Sequence, residues 1–420
     1  MVFAAGYIAI ASEHSIRINK AASALITGVV CWTIYMLSSS SKELADEQLT
    51  DALGELSGIL FFLLGAMTIV ELIDAHNGFG LITDQITQKN KRKLLWIVSF
   101  ITFFLSPLLD NLTTTIVMIS LVRRLIDSQT DRLYFSGMII IAANAGGAWS
   151  PIGDVTTTML WIGGQVTAGN ITQQLFIPSL LCMILPLTIL SLKLKGDITA
   201  PVTVEDPNAR KISRRTQKAV LICGILILMM VPVFKTLTHM PPYMGMLLGL
   251  GLLWVITELV HGKRDEGNRR ELSVARALQK IDTPSILFFL GILISIDALK
   301  VTGILGDLAG WMNTEIGNLN LIAMSMGLLS SIVDNVPLVA ATQGMYHMAD
   351  FPTDHFLWEF LAYTTGTGGS ALVIGSAAGV AAMGMEQIGF MWYLKKITPV
   401  ALLGFFAGAV YFIFQHNVLG

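Results

Sequence analysis

Two Asp-Asn pairs stand in the middle of long apolar stretches of this sequence. Asp110-Asn111 interrupts residues 94–122, and Asp334-Asn335 interrupts residues 319–346. A carboxylate placed in hydrocarbon is costly, so an aspartate in such a position usually has a function. Carboxylate and amide oxygens, with backbone carbonyls freed where a helix breaks, are the ligands that a small hard cation prefers. The two pairs therefore predict a cation site.

A third polar segment, residues 144–158, carries Asn144 and Asp154 with Gly-Gly, Ser-Pro and Gly between them. These residues cannot continue a regular helix, so we predict an unwound span with Asp154 at the break. Residues 366–376 keep the glycines, but Ser376 stands where the first segment has Asp154. The site should therefore be asymmetric, with three buried carboxylates rather than four.

Further oxygen ligands flank the Asp-Asn pairs. Three consecutive threonines beside one pair are more than the back-bonding that a lone threonine usually makes to its own helix. At least one of them is therefore a candidate ligand. Glu71 and Asp297 lie nearer the ends of their spans, where a satisfied helix-end residue is an equally good interpretation. The secondary candidates are Ser106, Thr113, Thr114, Glu71 and Asp297, and the hydroxyls of Thr115 and Ser331 are close by.

The buried carboxylates suggest how transport would be coupled. Burial in a low dielectric favours the protonated form of a carboxyl group, whereas a bound cation favours the ionised form. A proton and a cation would then compete for the same oxygens of Asp110, Asp154 and Asp334. Such competition makes exchange obligatory without a separate proton path.

The composition defines the elements that must position these groups. The chain has 420 residues, of which 53% are apolar and 13% charged, against roughly 25% charged in soluble domains. A net charge of −2 gives no basic field for nucleic acid. We predict an all-α polytopic membrane protein, embedded in a lipid bilayer, with about ten spanning helices and two re-entrant hairpins. The predicted spans are 1–12, 20–38, 54–75, 133–164, 175–193, 218–236, 242–260, 284–300, 356–385 and 397–415, with 94–122 and 319–346 entering and returning.

Loop charge supports this topology. With both termini outside, the cytoplasmic loops hold all 27 basic residues except Lys42, Lys235 and Lys300. Basic residues are enriched in cytoplasmic loops. If either hairpin crossed the membrane fully, every later loop would change sides and this charge asymmetry would be lost.

The two halves of the chain repeat each other in order. Ile59–Leu63 recurs as Ile286–Leu290, the Asp-Asn pairs match, and Gly146-Gly147 recurs as Gly368-Gly369. Because the hairpins enter from opposite sides, the repeat is inverted, as is common in secondary transporters. The predicted domains are 1–53 (amino-terminal scaffold helices with a short first span), 54–193 (first repeat, hairpin 94–125), 194–283 (central cytoplasmic loops and connecting helices) and 284–420 (second repeat, hairpin 318–348).

Four motifs together resemble the NhaD-type sodium/proton antiporters of the ion transporter superfamily: residues 68–76, 106–115, 144–158 and 333–337. The resemblance implies a homodimer with a scaffold domain and a moving transport domain that contains both hairpins. It implies exchange of Na⁺, and in some members Li⁺, for H⁺ without a cofactor, and it favours a bacterial inner membrane. The transport residues it implies are Asp110, Asn111, Asn144, Asp154, Thr156, Thr157, Ser330, Asn335 and Ser370, to which we add Asp334.

Two alternatives stay open at this point. A sodium-coupled dicarboxylate symporter of the same superfamily would share the scaffold. Three aspartates would repel its substrate, however, and we expect no midspan Arg or Lys to compensate for them. An intramembrane aspartyl protease could use two membrane aspartates, but only Gly153-Asp154 is similar to its signature, and no His-Glu-x-x-His zinc motif occurs.

Overall fold

The computed structural model describes residues 1–11, 13–83, 86, 88–199, 213–261 and 272–419. In these ranges the secondary structure is helical apart from one isolated bridge between Asn90 and Asp197. The helices span Val2–Ala11, Glu13–Ile16, Lys20–Ser38, Lys42–Ala75, Gly80–Thr83, Lys91–Leu109, Asn111–Leu125, Gln129–Ala148, Val155–Ile162, Ala168–Lys193, Arg214–Thr238, Pro242–His261, Val274–Lys280, Thr283–Val301, Ile304–Glu315, Leu319–Leu329, Asn335–Met345, Phe356–Gly368, Ala377–Glu386, Phe390–Lys396 and Thr398–Leu419. Residues 200–212 of the predicted central loop lie outside the described part.

Eight of the described helices are long and apolar enough to cross a membrane. This confirms the all-α polytopic class, and the difference from the predicted number of about ten has identifiable causes. The first predicted span is a helix of only ten residues. The spans predicted at 133–164 and 356–385 are each divided into two shorter helices. Conversely, Lys91–Leu109, predicted as one arm of a hairpin, is long enough by itself.

Both Asp-Asn pairs lie at helix breaks. The first hairpin consists of Lys91–Leu109 and Asn111–Leu125, and Asp110 between them has φ 75° and ψ 162°. This strained backbone is supported by the aspartate side chain, which accepts a hydrogen bond from the Thr113 backbone N–H at 2.8 Å. The second hairpin consists of Leu319–Leu329 and Asn335–Met345, whose first turn Asp334 caps through the Val336 N–H.

The glycine-rich segments also interrupt helices, with one geometry in both repeats. The first broken helix is Gln129–Ala148 followed by Val155–Ile162, and the second is Phe356–Gly368 followed by Ala377–Glu386. Asp154 (φ −144°, ψ 147°) and Ser376 (φ −146°, ψ 156°) are the extended residues that cap the second segments. The unwound span predicted around Asp154 is therefore present, and its counterpart in the other repeat breaks in the same way.

Matching glycines hold each broken helix against a hairpin. A Cβ on Gly146 would overlap the backbone of Phe103, and one on Gly368 would overlap the backbone of Gly327. Ser106 and Ser330 occupy equivalent places beside these contacts, and each hydroxyl donates to a carbonyl of the neighbouring broken helix. The two repeats therefore use one packing device, which explains why both keep paired glycines.

The broken helices form the centre of the molecule. Every residue from Phe135 to Ala148 and from Leu357 to Gly368 is buried, as expected of helices enclosed on all sides. Ala168–Lys193 packs against Thr398–Leu419 around them, and Lys20–Ser38 packs against Thr283–Val301. The peripheral helices expose large apolar side chains that suit a lipid environment.

The inverted topology can be tested by labelling single cysteines at Gln129 and Asp350 in a background lacking Cys31, Cys182 and Cys223. Both positions are exposed. We expect an impermeant maleimide to reach them from opposite faces of the membrane, because the sequence predicts that the hairpins preceding them enter from opposite sides. As the control for accessibility, cells are permeabilised before the maleimide is added, so that both positions can react. Labelling of both positions from one face would rule out the inverted repeat.

Candidate ion-binding site

Asp154 is the point on which both hairpins converge. Its side chain is 2% exposed. Asn111 of the first hairpin donates from Nδ2 to Asp154 Oδ2 at 3.2 Å. Asn335 of the second hairpin donates from Nδ2 to Oδ1 at 3.4 Å and to Oδ2 at 3.3 Å. Residues far apart in sequence thus surround one carboxylate of the first broken helix.

Asn144 connects this carboxylate cluster to the second broken helix. Its Oδ1 accepts from Asn111 Nδ2 at 3.1 Å, and its Nδ2 donates to Ser370 Oγ and Ser376 Oγ, both at 2.9 Å. Ser376 was not among the predicted site residues. Its place opposite Asp154 in the repeat is the sequence signal that could have identified it.

The threonines near Asp154 have separate roles. Thr157 Oγ1 donates to the Asp154 carbonyl at 2.9 Å, and the Thr156 N–H donates to Asp154 Oδ1 at 3.2 Å, so both stabilise the break. The buried hydroxyls of Thr114 and Thr115 have no hydrogen-bond partner among the described residues. These two hydroxyl oxygens of the first hairpin are therefore available as ligands.

Asp110 lies beside this cluster and faces the neighbouring helices. Its carboxylate accepts from Thr113 Oγ1 at 3.0 Å, as well as from the Thr113 N–H. Asp110 and Asn111 line a small cavity of about 60 Å³, whose opposite wall includes the apolar residues Val70 and Phe289. The polar side of this cavity therefore belongs to the site, and the apolar side to helices Lys42–Ala75 and Thr283–Val301.

Asp334 has a partner that the sequence did not suggest. Lys20 Nζ lies 3.3 Å from Asp334 Oδ2. The sequence predicted no Arg or Lys in the middle of a span, and Lys20 is the first residue of its helix. It reaches Asp334 because a lysine at the end of a helix can extend its long aliphatic stem along apolar surface and place its ammonium far from its own backbone.

The secondary candidates divide into support and periphery. Ser106 donates to a backbone carbonyl, and Thr113 donates from its backbone N–H and its hydroxyl to the Asp110 carboxylate, so both hold the site in shape. Ser330, one of the primary predictions, likewise donates to the Gly327 carbonyl. Glu71 pairs with Lys280 at 3.2 Å, and Asp297 lies 3.8 Å from Lys300. The structure does not hydrogen-bond either of these acidic residues to the Asp154 cluster.

A polar cavity of about 520 Å³ approaches the short helix that follows Asp154. Its lining includes Met159 and Gly163 of that helix and its end, together with Gln343 of the second hairpin. Glu55, Asp297 and Lys300 contribute the charged groups of the same cavity, and Lys300 lies 3.8 Å from Asp297.

Two arginines pair with a buried glutamate where the first hairpin meets the two broken helices. Glu386 is 2% exposed and accepts from Arg123 Nε at 2.6 Å and from Arg132 Nε at 3.0 Å. These contacts tie the end of the first hairpin and the start of the first broken helix to the end of the second broken helix. In the sequence both arginines are recognisable only as loop charges, and no motif marks Glu386.

The groups gathered at Asp154, a carboxylate with two side-chain amides beside it, are of the kind that a hard cation prefers. No cluster of three or more His, Cys, Asp or Glu occurs in the described residues. Asn111 and Asn335 present their amide NH₂ groups to Asp154. Rotation of either amide would present an oxygen instead, so the same residues can serve an ionised carboxylate or a bound cation.

Broken helices from two repeats that meet at a buried polar cluster define a secondary active transporter. The CitMHS family, described as citrate transporter, matches residues 7–366. Sodium/proton antiporter 1 of Arabidopsis thaliana is 48% identical over 420 residues, covering 100% of this chain and 72% of the relative. The Na⁺/H⁺ antiporter NhaD of Vibrio cholerae is 30% identical over 439 residues, covering 98% and 90%. The chain belongs to the CitMHS family and, within it, resembles the NhaD-type antiporters as predicted.

A solved structure supports the fold. The YdaH transporter of Alcanivorax borkumensis, described as having an unusual topology, superposes with a TM-score of 0.60 at 12% identity, covering 91% of this chain and 90% of that one. The relatives are named antiporters and transporters, so the chain is a transporter and not an enzyme. The protease alternative is thereby removed.

Proposed function

We propose that this protein exchanges Na⁺ for H⁺ across a membrane, with Asp154 as the carboxylate that both ions share. The observation that carries the proposal is the convergence of Asn111 and Asn335, one from each hairpin, on the two oxygens of the buried Asp154. The Na⁺/H⁺ antiporters among its relatives support the same ion pair.

Competition at Asp154 would make the exchange obligatory. A proton neutralises the carboxylate, and the amide groups then lose the charge that attracts them. Na⁺ binds the ionised carboxylate together with amide oxygens, and its charge opposes protonation. The site would therefore release one ion when it binds the other, and Asp110 would contribute a second carboxylate at the cavity beside it.

The wider architecture of the proposal follows the resemblance. We place both hairpin breaks near the midplane of the bilayer and assign them, with the broken helices, to a transport domain. Helices such as Lys42–Ala75 and Thr283–Val301 would form the scaffold of a homodimer, and Li⁺ would be a second substrate. A bacterial inner membrane and external termini remain predictions of the sequence.

A carboxylate symporter is the second candidate, because the family that matches the chain is described as citrate transporter. Reconstitution into proteoliposomes decides between the two. We expect an imposed pH gradient to be dissipated by Na⁺ or Li⁺ without any organic anion, and not by K⁺. Sodium-driven uptake of citrate or succinate, with no Na⁺ effect on the pH gradient, would instead establish the symporter.

Asn335→Ala tests the amide as a cation ligand. We expect the Na⁺ concentration for half-maximal exchange to rise several-fold while the pH profile keeps its midpoint, because the amide supplies an oxygen but carries no proton. Asn417→Ala is the matched control, since Asn417 is exposed near the carboxyl end of the chain. A displaced pH profile with an unchanged Na⁺ response would contradict the ligand role.

A further inference from the structure

The aspartates at the two hairpin breaks are equivalent in the repeat, but they have different partners. The Asp110 carboxylate accepts hydrogen bonds from uncharged donors among the described residues, the hydroxyl and backbone N–H of Thr113 and the backbone N–H of Leu112. Asp334 accepts from the Val336 N–H and from the Lys20 ammonium. One break therefore carries an unneutralised carboxylate, and the other carries an ion pair.

Two contacts besides the charge of Asp334 position Lys20, one at its ammonium and one at its backbone. Its Nζ lies 4.3 Å from the centroid of the Phe288 ring, a cation–π distance. The backbone N–H of Lys20 donates to Glu13 Oε1 at 3.0 Å. The side chains of Lys20 and Asp334 are 28% and 19% exposed, so water screens their pairing only in part. The position of the ammonium is thus set by the helix that Lys20 begins.

We propose that Lys20 acts as a tethered cation that occupies Asp334, and that Na⁺ must displace it to use that carboxylate. The inference rests on the proposed Na⁺/H⁺ exchange and extends it to a residue outside the three polar motifs. Two monovalent cations cannot share one carboxylate at contact distance without strong mutual repulsion. Lys20 therefore lowers the apparent affinity of the site for Na⁺.

The tether also distinguishes the two halves of the site. Asp154 and Asp110 have only neutral donors, so they can take an ion without displacing a charge. Asp334 becomes available only when the ammonium moves away. The apparent affinity of a site is its intrinsic affinity multiplied by the fraction of time for which the site is free. Removal of the competing ammonium should therefore lower the Na⁺ concentration that is needed for binding.

Lys20→Met tests the inference, because methionine keeps an unbranched apolar side chain without the charge. We expect the Na⁺ concentration for half-maximal exchange in proteoliposomes to fall at least about threefold. Arg17→Met is the matched control, since it removes one positive charge from an exposed residue of the same loop. In the double variant Lys20→Met with Asp334→Asn, the gain should disappear, leaving the Na⁺ response of Asp334→Asn alone.

A binding measurement separates this inference from the proposed function. Na⁺-induced thermal stabilisation of the purified protein should occur at lower Na⁺ in Lys20→Met than in the wild type. An unchanged Na⁺ dependence in both measurements, or loss of exchange in a well-folded Lys20→Met protein, would overturn the tethered cation. Wild-type protein that binds Na⁺ but moves no protons would overturn the exchange function, while the comparison of binding still judges Lys20.

Discussion

Asp154→Asn is expected to reduce Na⁺-driven proton movement to the level of empty liposomes. Asparagine keeps the size of the side chain but can neither ionise nor carry the exchanged proton. The hydrogen bonds that Asp154 accepts from Asn111 and Asn335 can be kept by one amide oxygen only, so the cluster should remain folded while it loses its charge. Quenching of a pH-sensitive dye after a Na⁺ pulse gives the measurement.

Asp307→Asn is the control for Asp154→Asn, because Asp307 is exposed and begins a peripheral helix. It should exchange at the wild-type rate. Asp110→Asn should also abolish exchange if the two carboxylates act together. Wild-type exchange by Asp154→Asn, in protein that elutes as a single species, would refute the shared site.

Gly368→Ala is expected to have the largest effect on folding. The added methyl group would meet the carbonyl oxygen of Gly327, where no space exists. The second broken helix and the second hairpin must then separate, which costs about 1–3 kcal/mol or more for overpacking. We expect the temperature of unfolding in detergent to fall by about 5 °C or more. Exchange should fall as well, because the Ser330–Thr365 contact positions the second break.

Gly310→Ala provides the comparison for that loss of stability. A methyl group on Gly310 meets nothing within 4 Å, and alanine is the better helix former. This variant should unfold at the wild-type temperature or slightly above it. Equal behaviour of the two alanine variants would show that the glycine contact does not support the packing of the second hairpin.

For the proposed exchange we expect the polar residues of the site to move relative to the apolar helices that line the cavity beside Asp110. The contacts between the hairpins and the broken helices are close and polar, as in the pairing of the buried Glu386 with Arg123 and Arg132. The wall that faces Asp110 is largely apolar and includes Phe62 and Val70. An apolar contact can slide without leaving polar groups unsatisfied, so we expect movement along that wall rather than between the hairpins and the broken helices.

The sequence by itself determined the class of protein and the positions of the breaks. Charged residues are so scarce that only a membrane interior suits the chain, and aspartate beside asparagine or glycine beside proline interrupts helices by local chemistry. For the same reason Asp110, Asp154 and Asp334 could be predicted as a site before any contact was known. Local preferences act over a few residues, and the sequence carries them directly.

Only the tertiary structure decided which of these groups meet. Lys20 lies 314 positions from Asp334, and Glu386 lies 263 from Arg123. No local preference brings such residues together. They meet because packing of whole helices fixes where long side chains end, and because Gly146 and Gly368 let backbones approach where any other residue would separate them. The same packing places Ser376 beside Asn144. It also pairs Glu71 and Asp297 with lysines, outside the hydrogen-bonded cluster around Asp154.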